Sequence, residues 1–229
     1  MGHESGAIML RDATTGAVTL TLPGHTSFVA ALALLRSGKL ASCSNDRSLR
    51  LWDVGTGVCE AVLAGHTAVV SSVAELLDGR IASGSWDCSV RLWDVSTRAC
   101  IAELAHANWV LTLAALPHGG VAAGCYDGSV VLWSAAGVCM ATLGGGADLG
   151  CVRTLALLSD FRLATGHGSP GSPSVIRMWD VKRRTCNVVI SGHTNLVRAL
   201  AALPDGRLLS GNEDRTLKVR DERVLSVRP

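Results

Sequence analysis

One short pattern recurs along nearly the whole of this 229-residue chain, and its spacing limits the possible folds more than any other feature. Laid over itself, the sequence aligns LRLWDVGTG (residues 49–57), VRLWDVSTR (90–98), VVLWSAAG (130–137), IRMWDVKRR (176–184) and LKVRDERV (217–224), with a further copy, IMLRDATTG, at residues 8–16. Trp52, Trp93, Trp133 and Trp179 are separated by 41, 40 and 46 residues, and Arg11 and Arg220 each stand 41 residues from the nearest of them. A period near forty residues marks stacked supersecondary units, none of which can bury its own hydrophobic face alone.

Within a period, short apolar or alternating runs are bounded by Gly, Asp or Asn, the punctuation of strands joined by tight turns. In the second full unit the strands read as residues 58–63, 69–77, 80–84 and 89–93, with turns at Ala64-Gly65-His66-Thr67, Asp78-Gly79 and Ser85-Trp86-Asp87-Cys88. The Asp-Gly pair is a strong hairpin signal. Four antiparallel strands per period, repeated radially, make a propeller blade. A composition of 48% hydrophobic and 17% charged residues excludes disorder and suits strands buried on both faces. The expected organisation is one all-β domain over residues 1–229, with repeat units at about 17–53, 58–94, 99–134, 138–180 and 185–221 and a partial unit at 7–16.

Gly24-His25, Gly65-His66 and Gly192-His193, with Trp52-Asp53, Trp93-Asp94 and Trp179-Asp180, resemble the GH and WD elements of the WD-repeat β-propeller family, and the resemblance covers residues 7–221. It implies blades ordered from inner to outer strand, the outer strand of one preceding the GH turn of the next. It also implies a hydrogen-bond chain in each blade running from Trp through Ser or Thr and His to a turn Asp. That chain maps as Trp52, Ser42, His25 and Asp46, and again as Trp93, Ser83, His66 and Asp87. The third unit keeps Trp133, His106 and Asp127 but has Ala123 at the hydroxyl position. The fourth keeps Trp179 and Thr165, while Gly144-Gly145-Gly146 replaces the GH turn and no Asp precedes its long hairpin loop. The fifth has Ser210, His193 and Asp214, with Arg220 in place of the Trp. These residues read as structural. A buried Asp beside a His is expected to hold its own pKa down and raise that of the His. A satisfied network rigidifies its sheet, and losing Asp87 or Trp93 leaves partners unpaired at ~1–3 kcal/mol.

Counted from residues 17–22, the chain holds about five four-stranded units and a partial one. The family's ring closure implies that residues 17–22 complete the sheet at 196–221, leaving the copy at 8–12 as a surplus strand. That surplus favours a fragment of a six- or seven-bladed ring, with residues 224–227 as another outer strand. The alternative is a partner that supplies the missing strands, because an open sheet edge invites pairing.

A net charge of +2 with dispersed Lys and Arg gives no basic stripe, so nucleic acid is not expected as a partner. The longest apolar runs, such as residues 28–35, fall far short of the ~20 residues that span a bilayer. No membrane association is expected, and a cytoplasmic location, with the nucleus as alternative, is the default. Cys59, Cys100, Cys139 and Cys186 share one repeat position, which reads as a small hydrophobe in a strand packed against the next blade. Cys43, Cys88 and Cys125 lie in or beside hairpins and Cys151 opens a strand; without CxxC or HxxxH spacing, neither metal nor disulfide is expected.

No GxSxG, Walker loop or HExxH occurs, and Gly144-Gly145-Gly146 lacks a following Lys-Ser or Lys-Thr, so no catalytic residue and no cofactor are assigned. An enzymatic or lectin-like channel site is the alternative class. It needs polar inner strands, whereas residues 29–35, 69–73 and 110–116 are mostly aliphatic. The expected function is a non-catalytic scaffold for proteins or peptides, with a substrate receptor of a ubiquitin ligase or a signalling subunit as alternative roles. The resemblance implies docking on the rim shared by the inter-blade turns and the second-to-third-strand hairpins. Asn45, Trp86, Tyr126 and Glu213 stand just ahead of the hairpin Asp there, and Phe28, Val69, Trp109 and Leu196 follow the GH-type turn. Aromatic rings and arginines dominate interface hot spots, and Arg47 and Arg215 are placed to pair with acidic side chains. The stretch at residues 167–174, rich in Gly, Ser and Pro, reads as a tolerated loop insertion.

Overall fold

A computed structural model describes residues 6–145, 150–169 and 174–221, and the chain divides between Val110 and Leu111 into two compact units. Gly146, residues 170–173 of the long hairpin loop and the strand expected at 224–227 lie outside the described residues.

The first unit opens with β1 (Ile8–Arg11) and β2 (Val18–Leu22), paired antiparallel. The Asp12 carboxylate folds the link between them, accepting the Thr14 and Thr15 amides at 3.0 and 2.7 Å and the Thr15 hydroxyl at 3.0 Å. Residues 17–22 therefore pair with the opening copy of the repeat, not with the sheet at 196–221, and the copy at 8–11 is no surplus strand. Closing so short a loop costs little chain entropy, which gives the local hairpin its advantage.

Two four-stranded sheets follow in hairpin order. One holds β3 (Val29–Leu34), β4 (Leu40–Ser44), β5 (Ser48–Trp52) and β6 (Cys59–Ala64); the other holds β7 (Val70–Glu75), β8 (Ile81–Ser85), β9 (Ser89–Trp93) and β10 (Cys100–Ala105). Every residue of β4 and β8 is buried, whereas β6 and β10 face water at alternate positions. The second strand is thus covered on both faces and the fourth on one, which is why the second reads as continuous small and apolar residues. Ala41, Leu49 and Leu63 of one sheet pack with Val70, Ile81 and Trp93 of the other, and Ile8 and Leu22 pack in the same way against Val29, Leu40 and Trp52.

The second unit has the same plan: β11 (Val110–Ala115), β12 (Val121–Cys125), β13 (Ser129–Trp133) and β14 (Cys139–Gly144), then β15 (Cys151–Leu157), β16 (Arg162–Gly168), β17 (Ser174–Asp180) and β18 (Thr185–His193). A three-stranded sheet of β19 (Val197–Ala202), β20 (Arg207–Asn212) and β21 (Leu217–Asp221) ends the described chain. Sheets and sequence units are offset by one strand, because each sheet takes its outer strand from the start of the next sequence unit. Five units counted in sequence therefore assort, among the described residues, into four sheets of four strands, one of three and one of two.

The four aligned cysteines sit on outer strands, directly across from the tryptophans: Cys59 opposite Trp52, Cys100 opposite Trp93, Cys139 opposite Trp133 and Cys186 opposite Trp179. Cys59 and Cys186 are half-buried and pack against the hydrophobic core as expected, whereas Cys100 and Cys139 are exposed and are not the packed hydrophobes expected. A register shift beside each pair places one extra residue in the outer strand, at Glu60, Ile101, Met140 and Asn187.

Candidate functional site

In each sheet of three or four strands the second-to-third-strand hairpin and the turn leading into the first strand share one end, here the upper rim. The first-to-second and third-to-fourth turns share the other, lower rim. Two features mark the upper rim: a buried hydrogen-bond relay that fixes the turns, and side chains projecting beyond it.

The relay is complete and nearly identical in the two four-stranded sheets of the first unit. Trp52 Nε1 donates to Ser42 Oγ at 2.8 Å, Ser42 Oγ meets His25 Nε2 at 2.7 Å, and His25 Nδ1 meets Asp46 Oδ2 at 2.7 Å. In the next sheet Trp93, Ser83, His66 and Asp87 repeat these distances at 2.8, 2.7 and 2.7 Å. Ser42 and Ser83 each have one proton, so a hydroxyl that accepts from the indole donates to His Nε2. That arrangement calls for a neutral imidazole carrying its proton on Nδ1, directed at the Asp. Burial agrees, pushing His25 and His66 below their usual value and outweighing the neighbouring carboxylates. The expected rise in the His pKa is thus reversed, because desolvation of the imidazolium exceeds the attraction of Asp46 or Asp87. Burial alone would raise Asp46, but hydrogen bonds from Ser48, His25 and the Thr26 amide hold it at about 2.

These Ser–His–Asp sets contain the groups of a nucleophilic triad. Their hydroxyls are wholly buried and already bonded to an indole, so no substrate carbonyl can reach them. Gly24 and Gly65 complete the packing, since a Cβ at either would approach an Arg guanidinium nitrogen to 2.7 Å.

In the second unit the relay varies. Ser210, His193 and Asp214 keep the hydroxyl and carboxylate contacts at 2.8 and 3.2 Å, while Arg220, at the Trp position, donates to the Ser191 carbonyl at 3.0 Å. Ala123 is buried in β12 and offers no hydroxyl, as expected. In β15–β18 Trp179 Nε1 donates to Thr165 Oγ1 at 2.9 Å, and Thr165 meets the Nε2 of His167 at 2.7 Å. His167, assigned by sequence to the loop insertion, therefore replaces the missing turn histidine from within β16. It stands two residues from Thr165 and so on the same face of the strand. Burial pushes His167 down to about 4; the Arg177 guanidinium adds to the shift, and the Gly150 backbone opposes it without a bond of normal geometry to Nδ1. As the one histidine of the fourth unit, spaced two from its hydroxyl, it could have been found from sequence.

Above the relay, the register between hairpin and turn is as expected. The Asn45 amide donates to the Phe28 carbonyl at 2.9 Å, the Trp86 amide to Val69 at 3.0 Å and the Glu213 amide to Leu196 at 3.0 Å. Phe28, Trp86, Trp109 and Tyr126 remain 44, 37, 40 and 48% exposed, Val69 is half-buried and Leu196 is buried. Trp86 and Trp109 stack in parallel, their centroids 4.9 Å apart and their planes 5° from coincidence. Each ring thus covers one face of the other. Asn45, Arg47 and Arg215 are exposed, whereas Glu213 is tied to Arg198 Nε at 2.7 Å. Arg47, Cys88 and Arg215, each following the hairpin Asp, have left-handed backbones with φ of 70, 63 and 65°. Among the described residues no group of three His, Cys, Asp or Glu side chains is placed to hold a metal ion.

A family model described as WD domain, G-beta repeat matches residues 16–53, 57–94, 98–134 and 184–221, together more than half of the chain. The stretch left unmatched between the third and fourth of these carries β15, β16 and β17, three of the four strands of the sheet in which His167 stands in for the turn histidine. A search of curated proteins finds no match.

Proposed function

The chain belongs to the family of the WD domain, G-beta repeat, whose members are in general non-catalytic protein-interaction scaffolds, and from that premise we propose that it binds partner proteins or peptides on the upper rim of its sheets. The observation that carries this reading is the Trp86–Trp109 stack. Two indoles that cover only one face of each other keep large apolar area in water, although neither is needed to fill a core. Held in register by turn backbone, they lose little conformational freedom on binding, the property that makes Trp a frequent hot spot. In the first unit Phe28 adds an exposed ring and Arg47 supplies charge for a partner's carboxylates; in the second unit, taken by itself, Tyr126 and Arg215 offer the same two kinds of group at the rims of their own sheets.

Affinity capture with the wild-type protein and a Trp86→Ala/Trp109→Ala double variant tests this reading, with thermal unfolding as the check on folding. The variant is expected to keep its fold and to lose at least one partner that the wild type retains. A folded variant that captures the same partners in the same amounts refutes it.

A further inference from the structure

The repeats control one another, so a position where one departs from the rest and the geometry changes with it singles itself out. Two such departures meet at the lower rim of the second unit. In the five sheets of three or four strands the first-to-second-strand turn closes with one common bond, the Leu35, Leu76, Leu116, Leu158 and Leu203 amides donating to the carbonyls of Lys39, Arg80, Gly120, Arg162 and Arg207 at 2.8 Å, although the third sheet reaches it through a 3-10 turn at Pro117–Gly119 with His118 left-handed at φ 63°. Four sheets thus carry a long basic side chain where the third has Gly120, whose Cβ would lie 2.5 Å from the Trp133 carbonyl oxygen. One residue earlier, Gly38, Gly79, Gly119 and Gly206 take left-handed φ values of 83, 87, 78 and 85°, and the fourth sheet places Phe161 there at 64°. A bulky aromatic in that conformation is strained, and Phe161 is 56% exposed, so little burial in the fold compensates it.

Gly120 and Phe161 line one cleft of about 520 Å³, within the ~300–1,000 Å³ typical of ligand pockets. Its apolar wall includes Leu116 and Met140, the extra residue of the β14 register shift. In the first sheet the equivalent extra residue, Glu60, is held by Lys39, a pair that Gly120 and Met140 cannot form. Lys182 carries the charge among the lining residues, which include no carboxylate, and the exposed Arg183 and Arg184 follow it. The nearest acids in sequence are engaged: Asp160 with Arg162 and Asp180 with Arg183.

We propose that this lower-rim cleft is a second docking site, taking a peptide segment with one large apolar side chain flanked by carboxylates. The apolar group sits against Met140 and Phe161, and a carboxylate pairs with Lys182. The site is separate from the upper rim and does not depend on it.

The probe is a fluorescein-labelled seven-residue peptide with a central leucine between pairs of glutamates, read by fluorescence polarisation. Its controls carry serine for the leucine or lysines for the glutamates. The wild type is expected to bind the probe at least tenfold more tightly than either control. Lys182→Glu should abolish the preference for glutamate over lysine. Phe161→Gly, which restores the residue of the other sheets, should weaken binding at least tenfold while leaving the thermal midpoint unchanged or higher. A wild type that does not discriminate the probe from its controls, or a Phe161→Gly variant that binds as the wild type does, overturns the proposal. Self-association that Phe161→Gly abolishes assigns the cleft to a second copy of the chain and overturns it equally. The Trp86→Ala/Trp109→Ala variant should bind the probe normally, so failure at one rim leaves the other untouched.

Discussion

Ser83→Ala removes the middle of a relay whose geometry is fully defined. Ser83 Oγ accepts from Trp93 Nε1 at 2.8 Å and meets His66 Nε2 at 2.7 Å, with serine and indole almost fully buried. A methyl group in its place leaves an indole N–H and an imidazole nitrogen without partners, each at ~1–3 kcal/mol. Removing a buried hydroxyl recovers part of that, so the expected loss is about 2–4 kcal/mol. For a domain of this size the loss corresponds to a fall of roughly 5–15 °C in Tm. Ser37→Ala is the comparator: Ser37 is exposed in a lower-rim turn, and the change there should stay within about 0.5 kcal/mol. Thermal unfolding followed by tryptophan fluorescence gives the stability. Hydrogen exchange at the Trp93 indole gives the local effect, slow in the wild type and accelerated in Ser83→Ala. A variant as stable as Ser37→Ala, with its Trp93 indole still protected, would show that the relay does not hold the sheet.

Burial depresses His25 and His66 and takes His167 to about 4, whereas an unfolded histidine titrates near 6.5, so the unfolded chain binds more protons between those values. Stability is therefore complete above about pH 6.5 and is lost as pH falls toward 4, by about 3 kcal/mol from His167 alone at ~1.4 kcal/mol per unit. Urea midpoints between pH 7.5 and 4.5 measure this, and a protein that gains stability on acidification contradicts the neutral-imidazole relay. Arg47→Gly replaces an exposed side chain on a left-handed backbone at φ 70° and should raise stability by about 0.5–1 kcal/mol in the same urea assay; a loss instead would mean that the guanidinium holds the hairpin.

What could be read from the sequence followed the range of the forces involved. Turn chemistry and alternation act over a few residues, so β9 at Ser89–Trp93 falls where expected, and β7, β8 and the outer strand β6 lie within one or two residues of it. The Trp52 and Trp93 relays were also legible, but through the family resemblance, which implies the chain and maps it onto residues that repeat at fixed separations. The partner of residues 17–22 was not, because a rule about ring closure carried no account of the Asp12 turn that makes the local hairpin cheap. The sign of the histidine shifts was missed for a similar reason: the carboxylate is visible in the sequence, the extent of desolvation is not. At the upper rim the aromatic positions were readable one by one. That Trp86 and Trp109 lie face to face required coordinates, since they come from a hairpin and from the turn ahead of a different sheet.

Departures from a repeat are of two kinds, and the difference separates structure from function. Where Gly144 and Gly145 displace the turn histidine, His167 returns an imidazole to the same hydroxyl from another direction, so the requirement was for a neutral ring against Thr165 and Trp179, however supplied. A fold that mends its own exception shows what it needs. Gly120 and Phe161 are not mended: Phe161 keeps a strained backbone and an exposed ring, and the space left by the missing basic side chain stays open. Glycine at position 161 relieves the strain and gives up only the smaller, covered part of Phe161, so stability alone is expected to favour glycine there. Strain that the fold leaves uncompensated is the physical reason to look for a ligand at the lower rim, and a Phe161→Gly protein less stable than the wild type would remove that reason, because the ring would then serve the fold.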